Sequence, residues 1–258
     1  MFELRSANPG PRPAIPGAAA TTTTDAPVLI EGLTCWRIRR ADRAAFLIDG
    51  AEYFRHLEAA LALARRSILI VGWDIHSRVR LTPQEPRDGG GLPDELGPLL
   101  DRLTRTRPGL HVHILIWDWL PLYSIDREKL PWLKLGRWTH RRVRFVLDDN
   151  HPPAACHHQK IVVIDDRLAF VGGLDLAPGR WDRREHLAEA PLRVGPDGRR
   201  HGPFHDAMLM VDGPAAASIA ELARERWRRA TGRHIPAVTV GHDPWPPGVA
   251  PWFEGVDV

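Results

Sequence analysis

Cysteine and lysine are the scarce residues of this chain. Cys35 and Cys156 are the only two cysteines in 258 residues, too few for a disulfide scaffold. They fit a reducing compartment, with a single bridge the most that could form. Lysine occurs only at Lys129, Lys134 and Lys160, so nearly all of the positive charge is arginine. No Lys/Arg block marks a binding stripe and the net charge is only +3. That mildly basic balance suits a phosphate-bearing substrate and counts against nucleic acid as a partner. The first residues, MFELRSANPGPRP, lack the long apolar core of a secretory signal. No run approaches the roughly 20 apolar residues that span a bilayer; the best, VHILIW, is cut short by Asp118. A cytoplasmic location with at most peripheral membrane contact is therefore expected.

A hydrophobic share of 43% and a charged share of 26% are ordinary for a globular protein. Residues 1–28, rich in Pro, Ala and Thr, read as a disordered N-terminal tail. Residues 29–235 alternate strand and helix patterns. CWRIRRADRAAFLIDG reads as two short strands around a polar turn, and the helix behind it carries Phe54, Leu57, Leu61 and Ala64 on one stripe. ILIVGW (68–73), HVHILIWDW (111–119), VRFVLD (143–148), HHQKIVVID (157–165), LAFVGG (168–173) and MLMVDG (208–213) read as strands. Helices are expected from about residue 92, at 122–138, and in PAAASIAELARERWRRATG, which has proline at its start and glycine at its end. The fold class is thus α/β, a mixed sheet flanked by helices. From residue 236 to 258 the chain is proline-rich and aperiodic, the pattern of a linker toward a second lobe.

His158-Gln159-Lys160 followed by IVVID gives the pattern HxKxxxxD. On a strand, side chains alternate between faces, so His158 and Lys160 point the same way and can converge on one phosphate. Asp165 is seven positions from His158 and falls with Ile161 and Val163 on the opposite face. That parity argues for an anchoring role, accepting buried hydrogen bonds. A phosphodiester is anionic and repels nucleophiles, so attack needs a cation to hold the charge developing on the non-bridging oxygens. An imidazole is a competent nucleophile near neutral pH, and a lysine supplies a flexible point charge. Gly172 and Gly173 would let backbone approach the anion closely.

The motif and its flanks resemble the phospholipase D superfamily, and within it the N-terminal half of a two-motif, lipid-type member. The resemblance runs from about Leu29 to about Trp227 and rests on GWDIHSR (72–78), HHQKIVVIDDRLAFVGGLDL (157–176), GRWD (179–182) and PFHDAMLMVDGPAA (203–216). It implies one phospholipase D-like lobe, His158 as the nucleophile that forms a phosphohistidine, and Lys160 as the phosphate holder. It also implies that Asp206 hydrogen-bonds the motif histidine. Two departures stand out. Asp175 occupies a place where many members carry asparagine, and a carboxylate there repels phosphate unless it is paired. The family's enzymes use two copies of the motif, and no other histidine here is followed by lysine two positions on.

Plainer explanations compete at each position. Asp206 could cap local backbone at a strand entry, and Asp175 could be turn chemistry in GGLD. Cys156, His157, His158, His201 and His205 lack the spacing of a metal site, so no metal or other cofactor is expected. Trp181, between Arg180 and Asp182, is placed at the pocket mouth. Three functional readings remain. The first is phospholipid hydrolysis or transphosphatidylation with this chain supplying half of the site, the partner being a second lobe. The second is a one-motif phosphodiesterase or nuclease completed across a two-fold dimer. The third is a silent lobe that binds phosphate without turnover.

Overall fold

The computed structural model describes residues 28–83, 91–118, 128–152 and 155–258. The tail expected at 1–28 and the first part of the helix expected at 122–138 lie almost wholly outside them. Residues 28–36 make a small separate unit, a turn in which Thr34 Oγ1 accepts the Ile30 N–H at 2.7 Å. The domain proper starts at Arg37.

In chain order the strands are β1 (Arg40–Ile48), β2 (Ser67–Gly72), β3 (His111–Trp117), β4 (Val143–Asp148), β5 (Ile161–Ile164), β6 (Leu168–Gly172), β7 (Ala207–Asp212) and β8 (Phe253–Asp257). Apolar runs rich in Val and Ile become the central strands β2, β3 and β5, and mixed sequences the rest. Among the described residues the helices are α1 (Asp49–Leu61), α2 (Leu96–Thr106) and α3 (Gly213–Thr231), with a π-helical turn at Trp132–Arg137. All eight strands form a single mixed sheet in the order β4-β3-β2-β5-β6-β7-β1-β8. β2, β3 and β4 run parallel, and every remaining neighbour pair is antiparallel. This is the α/β architecture expected from the strand–helix alternation.

Both faces of the sheet are covered, and the period-2 alternation sorts the strand residues between them. Val162, Ile164, Phe170 and Met210 pack with the Phe54, Leu57 and Leu61 stripe of α1 and with Leu99, Leu100 and Leu103 of α2. Ile161, Val163, Ala169 and Val211 pack under α3, through Ala216, Ala220, Ala223 and Trp227. The small residues of α3 let its axis lie close to the strands. Pro214 sits in its first turn, and Gly232 at φ 69° ends it, the left-handed conformation for which glycine has no steric cost.

Three expectations need correction. Residues 40–48 form one continuous strand, because Ala44 to Ile48 pair with β7 without interruption. β5 begins only at Ile161, so His158 and Lys160 occupy an extended lead-in to the strand. Residues 236–258 do not lead away as a linker. Val238 N–H bonds Asp166, Arg167 bonds the Val240 carbonyl, Trp245 is buried in the core, and β8 pairs with β1 as an edge strand. The proline-rich composition hid this because the segment is held by side chains and a short ladder, without periodicity of its own.

Candidate active site

The strand directions gather one set of ends at a single edge of the sheet. β2, β3 and β4 finish there at Gly72, Trp117 and Asp148, β5 starts there, β6 finishes at Gly172, β7 starts at Ala207 and β1 finishes at Ile48. Most of the sequence-predicted site residues lie at or beside this edge. Asp165 lies at the other end of β5, and Trp181 within the core.

His158 is exposed and Lys160 is buried, with its side chain 5% accessible. The His158 ring meets the Trp73 ring edge-on at 5.6 Å, and Trp73 stacks on Trp117 at 5.9 Å. The imidazole therefore stands against an aromatic wall with its other side open to solvent. Lys160 Nζ lies 3.2 Å from Asp175 Oδ2, donates to the His158 carbonyl at 3.3 Å, and sits 5.6 Å from the centre of the Trp73 ring. Its parity with Val162 and Ile164 carries it toward α1, where Tyr53 and Asp175 line the same small cleft. Burial, with the nearby Asp175 charge, pushes the Tyr53 phenol far above its usual range, so it stays protonated.

Asp175 is buried, and its Oδ1 accepts the N–H groups of Trp73 at 3.0 Å and Asp74 at 3.1 Å. The departure from asparagine is thus a paired carboxylate that ties the β2 terminus to the segment after β6. The pairing with Lys160 offsets the repulsion a lone carboxylate would exert on phosphate.

The glycine pair has a different reason from the one expected. A Cβ on Gly172 would lie 2.3 Å from the Ala207 carbonyl oxygen, and one on Gly173 would lie 2.2 Å from the Asp206 carboxylate oxygens. The chain's own β7 demands both glycines, which places Asp206 directly over Gly173. Asp206 accepts the Ala207 N–H at 2.7 Å. Among the described residues it makes no hydrogen bond to His158, although the ladder Lys160–Gly172–Met208 brings their two segments to the same end of the sheet with β6 between them.

Asp165 is fully buried, in the turn just after β5, at φ 53°. Its carboxylate accepts three backbone N–H groups at 2.7 Å each: Arg65 on Oδ2, and Arg66 and Ser67 on Oδ1. His242 Nε2 lies 3.3 Å from Oδ2. This carboxylate clasps the entry to β2 at the end of β5 remote from His158. Trp181, expected at a pocket mouth, is instead 5% exposed and packs in the core beside Gly50, where a Cβ would strike the Arg180 carbonyl at 2.0 Å. Its polar neighbours misled the reading: Arg180 stacks on Phe204, and Asp182 turns inward.

Residues that sequence reasoning did not single out complete the surroundings. Asp182 is buried and accepts Phe204 N–H, Arg183 N–H, His186 Nδ1 and Arg193. Burial alone would raise its carboxyl, but these donors and the Arg193 charge outweigh it and hold it below the usual range. On the other flank, Arg226 of α3 bridges Asp148 and His157. Asp182 stood in the GRWD stretch, which does not name its partners, and no motif in the sequence pointed to Arg226.

A family model described as Phospholipase D matches residues 148–243. Phospholipase D C of Dictyostelium discoideum is 28% identical over 209 residues, covering 71% of this chain and 12% of that protein. Phospholipase D gamma 3 of Arabidopsis thaliana is 28% identical over 234 residues, covering 71% of this chain and 26% of that protein. The chain thus spans about a quarter or less of the length of these two relatives. Among solved structures, Nuc from Salmonella typhimurium, described as a phospholipase D family member, is similar at 14% identity with a TM-score of 0.43, over 74% of this chain and 98% of that one. Phosphatidylserine synthase from Haemophilus influenzae is similar at 17% identity with a TM-score of 0.42, over 72% and 38% respectively.

Proposed function

Because this chain belongs to the phospholipase D superfamily, we propose that it supplies one half of a site that cleaves phosphodiesters, with phospholipids as the substrate class. The observation that carries the proposal is the pairing of an exposed His158 with a buried Lys160 whose ammonium is aimed and charge-balanced by Asp175. An exposed imidazole against Trp73 is free to attack phosphorus. Lys160 can move its ammonium from the His158 carbonyl to a phosphate oxygen without leaving Asp175.

In the proposed reaction an imidazole nitrogen of His158 forms a bond to phosphorus while the bond to the leaving oxygen breaks. The departing alkoxide needs a proton, which His158 cannot give once it is phosphorylated. A second histidine, from a further lobe or a second copy of this chain, is the acid the mechanism requires. Water or an alcohol then attacks the phosphohistidine and returns His158 to its starting state. The relatives named phospholipase D support the lipid substrate, and the absence of a basic stripe makes nucleic acid the weaker reading.

The test is specific activity on fluorogenic phosphatidylcholine and on bis-nitrophenyl phosphate, measured against protein concentration alongside mass by light scattering. The 258-residue chain is expected to turn over poorly as a monomer and to gain activity with dimerisation or with a second lobe added in trans. Full, concentration-independent activity from a proven monomer would overturn the half-site reading.

A further inference from the structure

Away from the His158 ring, three metal-ligating side chains meet where the start of α1, the segment after Asp182 and the entry to β7 come together: Asp49, His186 and His205. Asp49 has a side chain 1% exposed. Its Oδ1 lies 2.7 Å from His205 Nδ1 and 3.3 Å from the Asp206 N–H. Its Oδ2 is buried without a hydrogen bond, although His186 Nε2 is only 3.1 Å away, because that approach is not aligned as a hydrogen bond. The other nitrogen of His186, Nδ1, lies 3.1 Å from Asp182 Oδ2. His186 Nε2 and the buried, unbonded Asp49 Oδ2 thus face each other at 3.1 Å.

A cation seated between the two atoms would give both a partner. We propose that Asp49, His186 and His205 hold one zinc ion, with the fourth position open to water on the side of His205. The three ligand atoms all lie within 4.8 Å of one another. Zinc bonds of about 2.0–2.2 Å in tetrahedral geometry set neighbouring ligand atoms roughly 3.3 Å apart, so small side-chain rotations close the shell. Two imidazoles and one carboxylate suit zinc, whereas calcium and magnesium take shells of oxygen. Asp182 on His186 Nδ1 is the kind of outer carboxylate that orients a ligating histidine and raises its basicity. The backbone is also held out of its preferred regions at two of the ligands, with φ 68° at Asp49 and φ 43° at His186. The ion would staple α1 to the start of β7, where Asp49 N–H already bonds the Asp206 carbonyl at 2.8 Å. The histidines run together in sequence around Cys156 take no part.

The decisive experiment strips the full chain with a chelator and titrates it with zinc chloride by calorimetry at pH 7.5, with melting temperature followed in parallel. One zinc per chain is expected, together with a rise in melting temperature. His205→Ala should weaken zinc affinity at least tenfold; that side chain is 70% exposed, so the variant should fold. His186→Ala and Asp49→Asn should lose zinc as well, while His201→Ala and His234→Ala retain it. No zinc uptake by the stripped wild-type chain would overturn the proposal, as would equal uptake by wild type and a folded His205→Ala.

Discussion

Replacing Asp165 by asparagine separates anchoring from chemistry. The carboxylate accepts three N–H groups at 2.7 Å with no exposure to solvent. A hydrogen bond to a charged group contributes about 1.5–3 kcal/mol, and a neutral one about 0.5–1.5 kcal/mol. In its better orientation asparagine keeps Oδ1 for Arg66 and Ser67 and turns its amide NH2 against the Arg65 N–H. Two bonds then weaken by about 1 kcal/mol each and the third is lost, for a total of about 4 kcal/mol. Backbone strain adds nothing, because asparagine tolerates the left-handed region as well as aspartate does. For a domain of this size the loss corresponds to a melting temperature about 8–16 °C lower. Differential scanning calorimetry together with far-UV circular dichroism measures it. A fall under about 3 °C would refute the reasoning.

His158→Ala should abolish phosphodiester cleavage in any active assembly and leave the urea midpoint unchanged, since the ring is exposed; more than a trace of cleavage would rule it out as nucleophile. Lys160→Ala should also lose cleavage, but at a cost of about 3–5 kcal/mol because it strands the buried Asp175 carboxylate. Adding Asp175→Asn should return most of that stability without restoring activity, as urea titration of the two variants would reveal. Gly173→Ala drives a methyl group to 2.2 Å from the Asp206 carboxylate and should lower both stability, by about 1–3 kcal/mol, and activity. His113 is held neutral by burial and by the Arg144 and His111 charges, which push its pKa down to about 4 from 6.5. Its contribution is therefore full above about pH 6.5 and lost as pH falls toward 4, where the unfolded chain takes up a proton that the fold refuses. About 3 kcal/mol should disappear over that window, and His113→Phe should flatten this part of the stability profile if the assignment holds.

The parts of the fold legible in the sequence are those whose side chains report their own surroundings. The strands β2 to β7 announce themselves as apolar runs, and the Pro214 and Gly232 punctuation marks α3. Parity along IVVI placed Lys160 and Asp165 apart, although Asp165 lies beyond the strand end and acts through backbone donors that no pattern names. What stayed hidden depends on partners distant in the chain. FEGVD carries no alternation, and becomes β8 only because β1 offers it an edge. Trp181 sits among charges that fold away from it. Asp49, His186 and His205 come from three separate segments: the antiparallel pairing of β1 with β7 brings Asp49 beside His205, and the segment after Asp182 delivers His186.

The position of β1 between β7 and β8 also dictates when the molecule can fold. Ala44 pairs with Val211 on one side and with Phe253 on the other, so the earliest strand of this sheet to be synthesised is among the last to find its neighbours. At about 5–20 residues per second, a nascent chain carries that strand unpaired for on the order of ten seconds or more. Its sequence over residues 44–48, AAFLI, is apolar and uncharged, the composition that recruits other strands when both edges are bare. The ladder β4-β3-β2-β5-β6, built from a shorter span of chain, can assemble meanwhile and wait as a platform. Nascent chains of this protein should therefore need shielding of β1 by chaperones during translation, a demand that ends once residues 207–211 and 253–257 have joined the sheet.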